Sequence, residues 1–502
     1  MRTKSRAIFL GYINMIIHNL TSFILTPIML MVWGNSDFGI YKILLGFMAY
    51  FMLVDAGIKN SIIKFMTGFR VNNEKKQESN YFAFILLFYL IVIVILLLIS
   101  IGFRSALYNI YHNSLTIDEI STVYKAFPYI VLYAGVVLFF NGFSAIIRAY
   151  NRHGFVQLLN IIKSVIRVLS IFLALNNGAE IFVIIIFDLI ISMFFSIMML
   201  LYITFNLKVI PRFRGLSFDF AKTIFNYTGI MFIQTIAFAL FWSLDNLILG
   251  ILTSAAIVAI YSIGATITNL FQVYSSVLSQ VLVPDIMTKG YKEDQDTLDN
   301  LMLRIGKLKF YWLLLPALGF IYFGKTFLML WVGTDFIQAY YVVIIVLIPQ
   351  LFSLIIDVPT NVMYVRHKHK PMAYFSLFAA IINSIITVVL VLKYGILGAA
   401  VGTAFALFVV YVVFANIYYR RNLGFKIGLL YKEVLLNNIL FLIIINLIGL
   451  MLSYVEVSTW IYLIIVISVF IVSYIGAVFL FVLNKIEKET VFLKIKIFLK
   501  IK

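Results

Sequence analysis

The sequence contains no cysteine, and only 12% of its 502 residues are charged. The absence of cysteine excludes a disulfide framework, a thiolate nucleophile and a thiolate metal site. Hydrophobic residues make up 63% of the chain, which lies outside the composition of soluble globular domains. Apolar runs of about 18 residues or more recur along the whole length, and no stretch remains for a folded soluble domain. The sequence therefore predicts an all-α polytopic membrane protein.

Catalytic and cofactor signatures are also scarce. The chain has no His-Glu-x-x-His motif and no paired-carboxylate loop in an outer segment, and we predict no ATP-binding site, no metal and no cofactor. The longest predicted outer connection, 104–126, is short for the external platform that a membrane glycosyltransferase or polymerase needs. We therefore expect a chain that is not an enzyme and has no catalytic residues.

The apolar runs predict about fourteen transmembrane helices. Their predicted spans are 8–33, 38–58, 81–103, 127–147, 155–175, 180–203, 223–244, 256–283, 308–330, 339–363, 372–392, 396–418, 434–454 and 458–483.

The net charge of +18 resides mainly in the turns between these helices. With the N-terminus placed inside, inner segments hold 32 of the 39 Lys and Arg, and outer segments hold only Arg104, Lys125, Lys325 and Lys393. Such asymmetry is the positive-inside rule, so both termini are predicted to be cytoplasmic. Because topology accounts for the basic residues, nucleic acid is not a predicted partner.

An internal repeat is visible at an offset of about 220 residues. Residues 39–41, GIY, are echoed by 259–261, AIY, and the basic turn 148–153 is echoed by 366–370. The interval holds six predicted helices, an even number, so the two copies share one orientation. The pattern predicts two six-helix lobes related by a pseudo-two-fold axis along the membrane normal.

The repeat sets the predicted domain boundaries. The N-terminal lobe covers 1–207, the C-terminal lobe 208–420, two additional helices 421–483, and a basic cytoplasmic tail 484–502. The tail alternates lysine with apolar residues, a pattern that suits either contact with anionic lipid or a solvated end.

Charges inside predicted helices are the main candidates for function, since each is costly in hydrocarbon. Lys163 and Arg167 lie one turn apart on one predicted helix, so they face the same side. An ammonium group and a guanidinium group together suit phosphate recognition, which predicts an anion site. The structural alternative is that Asp188 on the next helix neutralises one of them. Asp188 is also a candidate for gating or coupling.

The second predicted helix carries three further charges. Lys42 either extends the same basic site or reaches water at the outer end of the helix. Asp55 and Lys59 are four residues apart and are expected to form an ion pair, with a gating or coupling role as the alternative.

Two more residues are candidates for gating or coupling. Asp245 is expected at the end of the seventh predicted helix, where it either caps a turn or takes part in coupling. His18 lies with Asn14 and Thr21 on a polar face of the first helix, where it either titrates during transport or packs as a hydrogen-bonded histidine.

Four sequence segments together resemble a known family. They are GNSDFGIYKI at 34–43, LVDAGIKNSIIKF at 53–65, LDNLILGILTSAAIVAIYSIG at 244–264 and YGILGAAVGTAF at 394–405. In order and spacing they are similar to polysaccharide flippases of the multidrug/oligosaccharidyl-lipid/polysaccharide exporter superfamily, the O-antigen or Wzx-like branch. The resemblance covers nearly the whole chain.

The resemblance implies a function and a partner. Such proteins move undecaprenyl-pyrophosphate-linked oligosaccharide from the inner to the outer leaflet of the bacterial cell membrane, for O-antigen or capsule, by alternating access of two lobes. The resemblance also implies that Lys163, Arg167 and Lys42 contact the pyrophosphate. It further implies that membrane lipid and other polysaccharide-assembly proteins are partners. A multidrug or cation exporter of the same superfamily remains the main alternative, and a membrane polymerase or glycosyltransferase is a weaker one.

Overall fold

The computed structural model describes residues 2–55, 58–213, 236–237, 240–292, 294–366, 368, 370–483 and 488. Across these residues the chain is helical and contains no strand. The helices of the described residues are α1 (Arg2–Phe51), α2 (Ile58–Val71), α3 (Lys75–Tyr111), α4 (Ile117–Ala149), α5 (His153–Asn176), α6 (Ile181–Leu201), α7 (Leu240–Leu252), α8 (Ala255–Lys292), α9 (Gln295–Val332), α10 (Gln338–Leu354), α11 (Asp357–Val365), α12 (Lys370–Tyr394), α13 (Ile396–Ala406), α14 (Ala415–Leu423), α15 (Ile427–Tyr431), α16 (Ile439–Ser453) and α17 (Trp460–Ala477).

The predicted class of all-α polytopic membrane protein is confirmed. Within the described residues, 11 helices are long and apolar enough to cross a membrane, or 12 if the bent pair Ile427–Leu436 and Ile439–Ser453 forms one span. The predicted number of fourteen is not confirmed. One candidate span, Leu10–Val71, covers nearly all of the first predicted helix, 8–33, and the whole of the second, 38–58. Most of the seventh predicted helix, 223–244, lies outside the described residues.

The break predicted between the spans 8–33 and 38–58 is present directly after Trp33. Gly34 has φ of 73° and ψ of −176°, so it interrupts α1 with a backbone conformation that glycine adopts without a Cβ clash. The Trp33 indole Nε1 donates a hydrogen bond to the Ala179 carbonyl at 2.8 Å, and the Ser36 hydroxyl donates to the Glu119 carboxylate. The α5–α6 turn and the start of α4 therefore fix this turn.

Polar caps define other helix starts. Thr116 and Glu119 form a capping box at the N-terminus of α4, in which each side chain bonds the other residue's backbone N–H. At α9, the Asp294 carboxylate accepts from the Thr297 backbone N–H at 2.9 Å. This hydrogen bonding lowers the pKa of Asp294.

The chain divides into two compact units. The first contains 1–263 and 370–406 and the second contains 264–369 and 407–502. These boundaries differ from the predicted lobes 1–207 and 208–420, which stay a prediction.

The first unit is built around α4, which packs against α2, α3 and α6, while α1 packs along α5. A close pair, α12 and α13, completes this unit. The pair depends on small residues, since a Cβ on Gly398 would lie 2.3 Å from the Leu390 backbone.

The second unit is built around α9, which packs against α10, α11, α16 and α17. Tyr311 lies at its centre, donating a hydrogen bond to the Val434 carbonyl at 3.3 Å and accepting one from Tyr474 at its own carbonyl at 2.8 Å. These bonds join the two C-terminal spans to α9.

Several predicted helices differ from the structure in extent; the predicted span 127–147, for example, begins at Ile117 in α4. The predicted span 308–330 begins at Gln295 in α9, because polar residues continue the helix beyond its apolar part. The predicted span 339–363 is two helices, α10 and α11, interrupted at Ile355 and Ile356.

Candidate functional site

The first polar group inside the helical bundle is an ion pair between α5 and α6. The Arg167 Nε lies 2.6 Å from Asp188 Oδ1, and its Nη2 lies 2.8 Å from Asp188 Oδ2. Nη2 also donates to the Tyr41 hydroxyl of α1 at 3.1 Å. We call Arg167, Asp188 and Tyr41 the Arg167 cluster. The bidentate geometry fixes the plane of the guanidinium group, and the arginine side chain stays 24% exposed whereas that of Asp188 is 2% exposed.

Two lysines, Lys163 and Lys42, lie near the Arg167 cluster. The Lys163 Nζ lies 4.1 Å from the centre of the Phe140 ring, and the Lys42 Nζ lies 5.0 Å from that of Phe38. The charge of Arg167 acts on both lysines. A cation over an aromatic face is stabilised without being neutralised.

The charge of this region is therefore unbalanced. Lys42, Lys163 and Arg167 supply three positive charges and Asp188 supplies one negative charge, which leaves a surplus of two. Asp188 thus forms an ion pair with Arg167, in line with the structural alternative, and its charge also acts on Lys163. An anion with two charged groups would balance the remainder.

His18 borders the same region. Its side chain is exposed and the charge of Arg167 acts on it. Asn14 on the same helix is partly exposed, whereas Thr21 is buried and donates to the Ile17 carbonyl at 2.8 Å. Of the three residues predicted to form a polar face on this helix, His18 and Asn14 are therefore accessible and Thr21 is not.

The expected direct ion pair of Asp55 and Lys59 is not formed, although the charge of each residue acts on the other. Among the described residues no salt bridge joins them, and Asp55 instead accepts a hydrogen bond from the Tyr89 hydroxyl at 2.6 Å. The reason is local. The helix becomes a 3-10 turn at Met52–Asp55, and α2 begins only at Ile58, so the spacing of four residues does not bring the two charges onto one continuous helix.

Asp245 lies elsewhere in the first unit and is not at a helix end. It is inside α7, 3% exposed, with acceptor oxygens surrounded by donors. Thr403 donates to Oδ2 at 2.7 Å, the Tyr261 hydroxyl also donates to Oδ2, and two longer bonds of 3.4 Å reach Oδ1 from Asn383 and Thr387.

We call Asp245 and these four donors the Asp245 cluster. The helix continues past the predicted boundary because residues 246–252 are apolar apart from Asn246. No cation in the described residues pairs with this carboxylate, so hydroxyl and amide groups alone stabilise it.

A third polar group was missed by the sequence prediction, which placed Lys309 next to the inner end of the span 308–330 and gave it no role. Lys309 lies inside α9 and is 1% exposed. Its Nζ lies 2.7 Å from Asp357 Oδ2 and 2.9 Å from the Ser279 hydroxyl, and Ser279 donates to the same carboxylate oxygen at 2.6 Å. We call these three residues the Lys309 cluster. Asp357 could have been found as a carboxylate within a predicted span, 339–363.

One sequence match was also overlooked. Residues 319–326, GFIYFGKT, fit the spacing of a nucleotide phosphate-binding loop, G-x4-G-K-T. In the structure they lie within the continuous helix α9, so the backbone N–H groups are in helical hydrogen bonds and do not form a phosphate cradle. Lys325 lies over the Tyr340 and Tyr341 rings at 5.1 and 5.0 Å.

The family described as polysaccharide biosynthesis protein matches residues 6–288, which is more than half of the chain. The chain belongs to this family. The matched segment includes both the Arg167 cluster and Asp245.

A curated relative from Haloferax volcanii is named "Probable low-salt glycan biosynthesis flippase Agl15". It is 23% identical over 210 residues, which is 42% of this chain and 44% of the relative. The chain thus aligns with less than half of that relative's length.

Solved structures share the fold of this family member. One titled "Lipid II flippase MurJ, inward closed conformation" superposes with a TM-score of 0.75 and 14% identity, covering 94% of this chain and 97% of the other. A multidrug resistance MATE family transporter of the MOP superfamily superposes with a TM-score of 0.66 and 14% identity, covering 82% and 96%. At these identities the likeness establishes the fold.

Proposed function

We propose that this chain is a flippase that carries undecaprenyl-pyrophosphate-linked oligosaccharide from the inner to the outer leaflet, for cell-surface polysaccharide such as O-antigen or capsule. The observation that carries the proposal is the surplus of two positive charges around the Arg167 cluster, on helices that can cross a membrane. A pyrophosphate diester carries two negative charges and matches that surplus. The name of the curated relative and the family description both support a role in glycan biosynthesis.

The proposed roles follow from the geometry. Asp188 holds the Arg167 guanidinium in one orientation, so a phosphate oxygen meets a preorganised donor. Lys163 and Lys42 have flexible stems and can move from the Phe140 and Phe38 rings toward the same anion. The glycan travels with the head group, and the polyprenyl chain stays in lipid.

Transport by alternating access requires a bias between inward-facing and outward-facing states. We propose that Asp245 supplies it by binding the coupling cation or proton, because this buried carboxylate has only neutral partners among the described residues. His18 is a second candidate for coupling through its neighbour Arg167.

The main alternative is a multidrug or cation exporter of the same superfamily. The MATE structures also share the fold, but the surplus of positive charge beside Arg167 disfavours an organic cation there. We place the protein in the bacterial cell membrane with both termini in the cytoplasm, alongside other polysaccharide-assembly proteins.

The deciding experiment measures leaflet exchange of a lipid-linked glycan in proteoliposomes. Arg167→Ala is expected to reduce exchange at least tenfold, since it removes a charge-assisted contact and leaves Asp188 buried without its partner. Arg212→Ala changes an exposed arginine outside the cluster and is expected to keep the rate. Equal rates for wild type and a folded Arg167→Ala would refute the proposal, as would a new covalent glycan product.

A further inference from the structure

The second unit contains a polar helix face that the proposed function has not yet used. Asn269, Gln272, Ser276 and Gln280 follow one another at helical spacings on α8, and all four side chains are exposed or partly exposed. We call these four residues the α8 polar face. They belong to Ala255–Gln280, a segment long and apolar enough to span a membrane.

The α8 polar face is unsuited to hydrocarbon. The amide side chains of Asn269, Gln272 and Gln280 make no hydrogen bond within the described part of the chain. An amide without a hydrogen-bond partner is strongly disfavoured in lipid, because hydrocarbon offers neither donors nor acceptors. By contrast, the exposed side chains of α17 include Ile464 and Val472, as a lipid-facing surface requires. The α8 polar face therefore borders water or a polar ligand.

A carboxylate adjoins this face. Ser279, one turn from Ser276 on α8, donates to Asp357 Oδ2 at 2.6 Å, which places Asp357 beside the polar face. Lys309 and Ser279 both occupy Oδ2, while the Asp357 side chain stays 21% exposed. Oδ1 is the carboxylate oxygen that neither bond uses.

We propose that the α8 polar face and Asp357 form a carbohydrate-binding site for the glycan of the transported lipid. Amides both donate and accept, a carboxylate accepts strongly, and the hydroxyls of a sugar do both. This set of groups therefore satisfies a row of sugar hydroxyls without requiring a charged ligand. Lys309 acts as a positioning residue, because its buried ammonium holds Asp357 against α8. The inference rests on the proposed function and assigns the glycan to residues other than those that meet pyrophosphate.

The test compares two ligands of the full-length protein in nanodiscs. One is undecaprenyl pyrophosphate, and the other is the lipid-linked glycan extracted from cells that lack this gene. Wild type is expected to bind the glycosylated lipid about tenfold more tightly, which corresponds to one or two net hydrogen bonds. Gln272→Leu, Ser276→Ala and Asp357→Asn are each expected to reduce this ratio toward one, while the dissociation constant for the bare lipid stays unchanged.

The control is Gln338→Leu, the same chemical change at an exposed position on α10 away from the face. It is expected to keep the wild-type ratio. Because Asp357→Asn alters a buried ion pair, its folding is checked by thermal unfolding, and the two α8 variants leave that pair intact. A wild-type ratio near one, or an unchanged ratio in both α8 variants, would overturn the site. If every variant, including Arg167→Ala, bound the bare lipid as tightly as wild type, that result would instead contradict the proposed function.

Discussion

At the scale of single residues, the charges inside the bundle occur in different electrostatic settings. Arg167 has a carboxylate partner, Lys163 lies over an aromatic ring, and Asp245 is buried among neutral donors. An ion pair with two hydrogen bonds is rigid, whereas an unpaired charge can respond to a ligand or an ion. Arg167 is therefore suited to orientation and Asp245 to coupling.

The role of Asp245 can be tested by a substitution of the same shape. Asp245→Asn keeps the side-chain volume and an acceptor for Thr403, but it removes the charge. We expect leaflet exchange in proteoliposomes to lose its dependence on an imposed ion or proton gradient, while binding of the lipid-linked glycan persists. Asn383→Asp, which adds a charge to the same cluster, serves as the comparison. A folded Asp245→Asn protein with full gradient dependence would exclude this carboxylate from coupling.

At the scale of elements, close helix crossings depend on individual glycines. Gly39 in α1 faces the start of α8, where a Cβ would lie 1.8 Å from the Ala255 carbonyl oxygen. The atom that this Cβ would contact belongs to the backbone, so no side-chain rotation can relieve the clash. Gly68 in α2 is different, since nothing lies within 4 Å of its Cβ position.

This contrast gives a matched pair of Gly→Ala variants. Gly39→Ala is expected to destabilise the protein by about 2 kcal/mol or more, because overpacking forces the two helices apart. Gly68→Ala is expected to be neutral or to stabilise by about 0.5–1 kcal/mol, because alanine is the better helix former. Thermal unfolding of the detergent-solubilised protein measures both, and equal melting temperatures for the two variants would show that the Gly39 crossing is not tight.

At the scale of the whole molecule, the absence of cysteine makes the predicted topology directly testable. Lys125→Cys and Lys393→Cys lie at predicted outer positions, and Arg420→Cys lies at a predicted inner position, all with exposed native side chains. We expect a membrane-impermeant maleimide to label the first two in intact cells and the third only after lysis. The cysteine-free parent chain gives the background, and labelling of Arg420→Cys in intact cells would reverse the proposed orientation.

The membrane class, the helical architecture and the first turn were predictable from the sequence alone. Each segment partitions into the membrane according to its own hydrophobicity. An apolar run of sufficient length therefore predicts a transmembrane span, whatever segments pack against it. The break after Trp33 was predictable for a similar reason, since Gly34 and the polar residues that follow it act locally. The family resemblance also required only the order and spacing of local motifs, and the family match over 6–288 agrees with it.

The partners of the buried charges were decided by tertiary structure. Lys309 lies at the inner end of the predicted span 308–330, but α9 begins at Gln295 and places this residue well inside a helix. Asp55 does not pair with Lys59 because the helix changes to a 3-10 turn at Met52–Asp55. Asp245 acquired its donors from α8, α12 and α13, more than a hundred residues away in most cases. Charge pairing depends on which helix faces meet in space. Burial along one segment follows from its own composition, but a hydrogen bond between two segments exists only after both have packed.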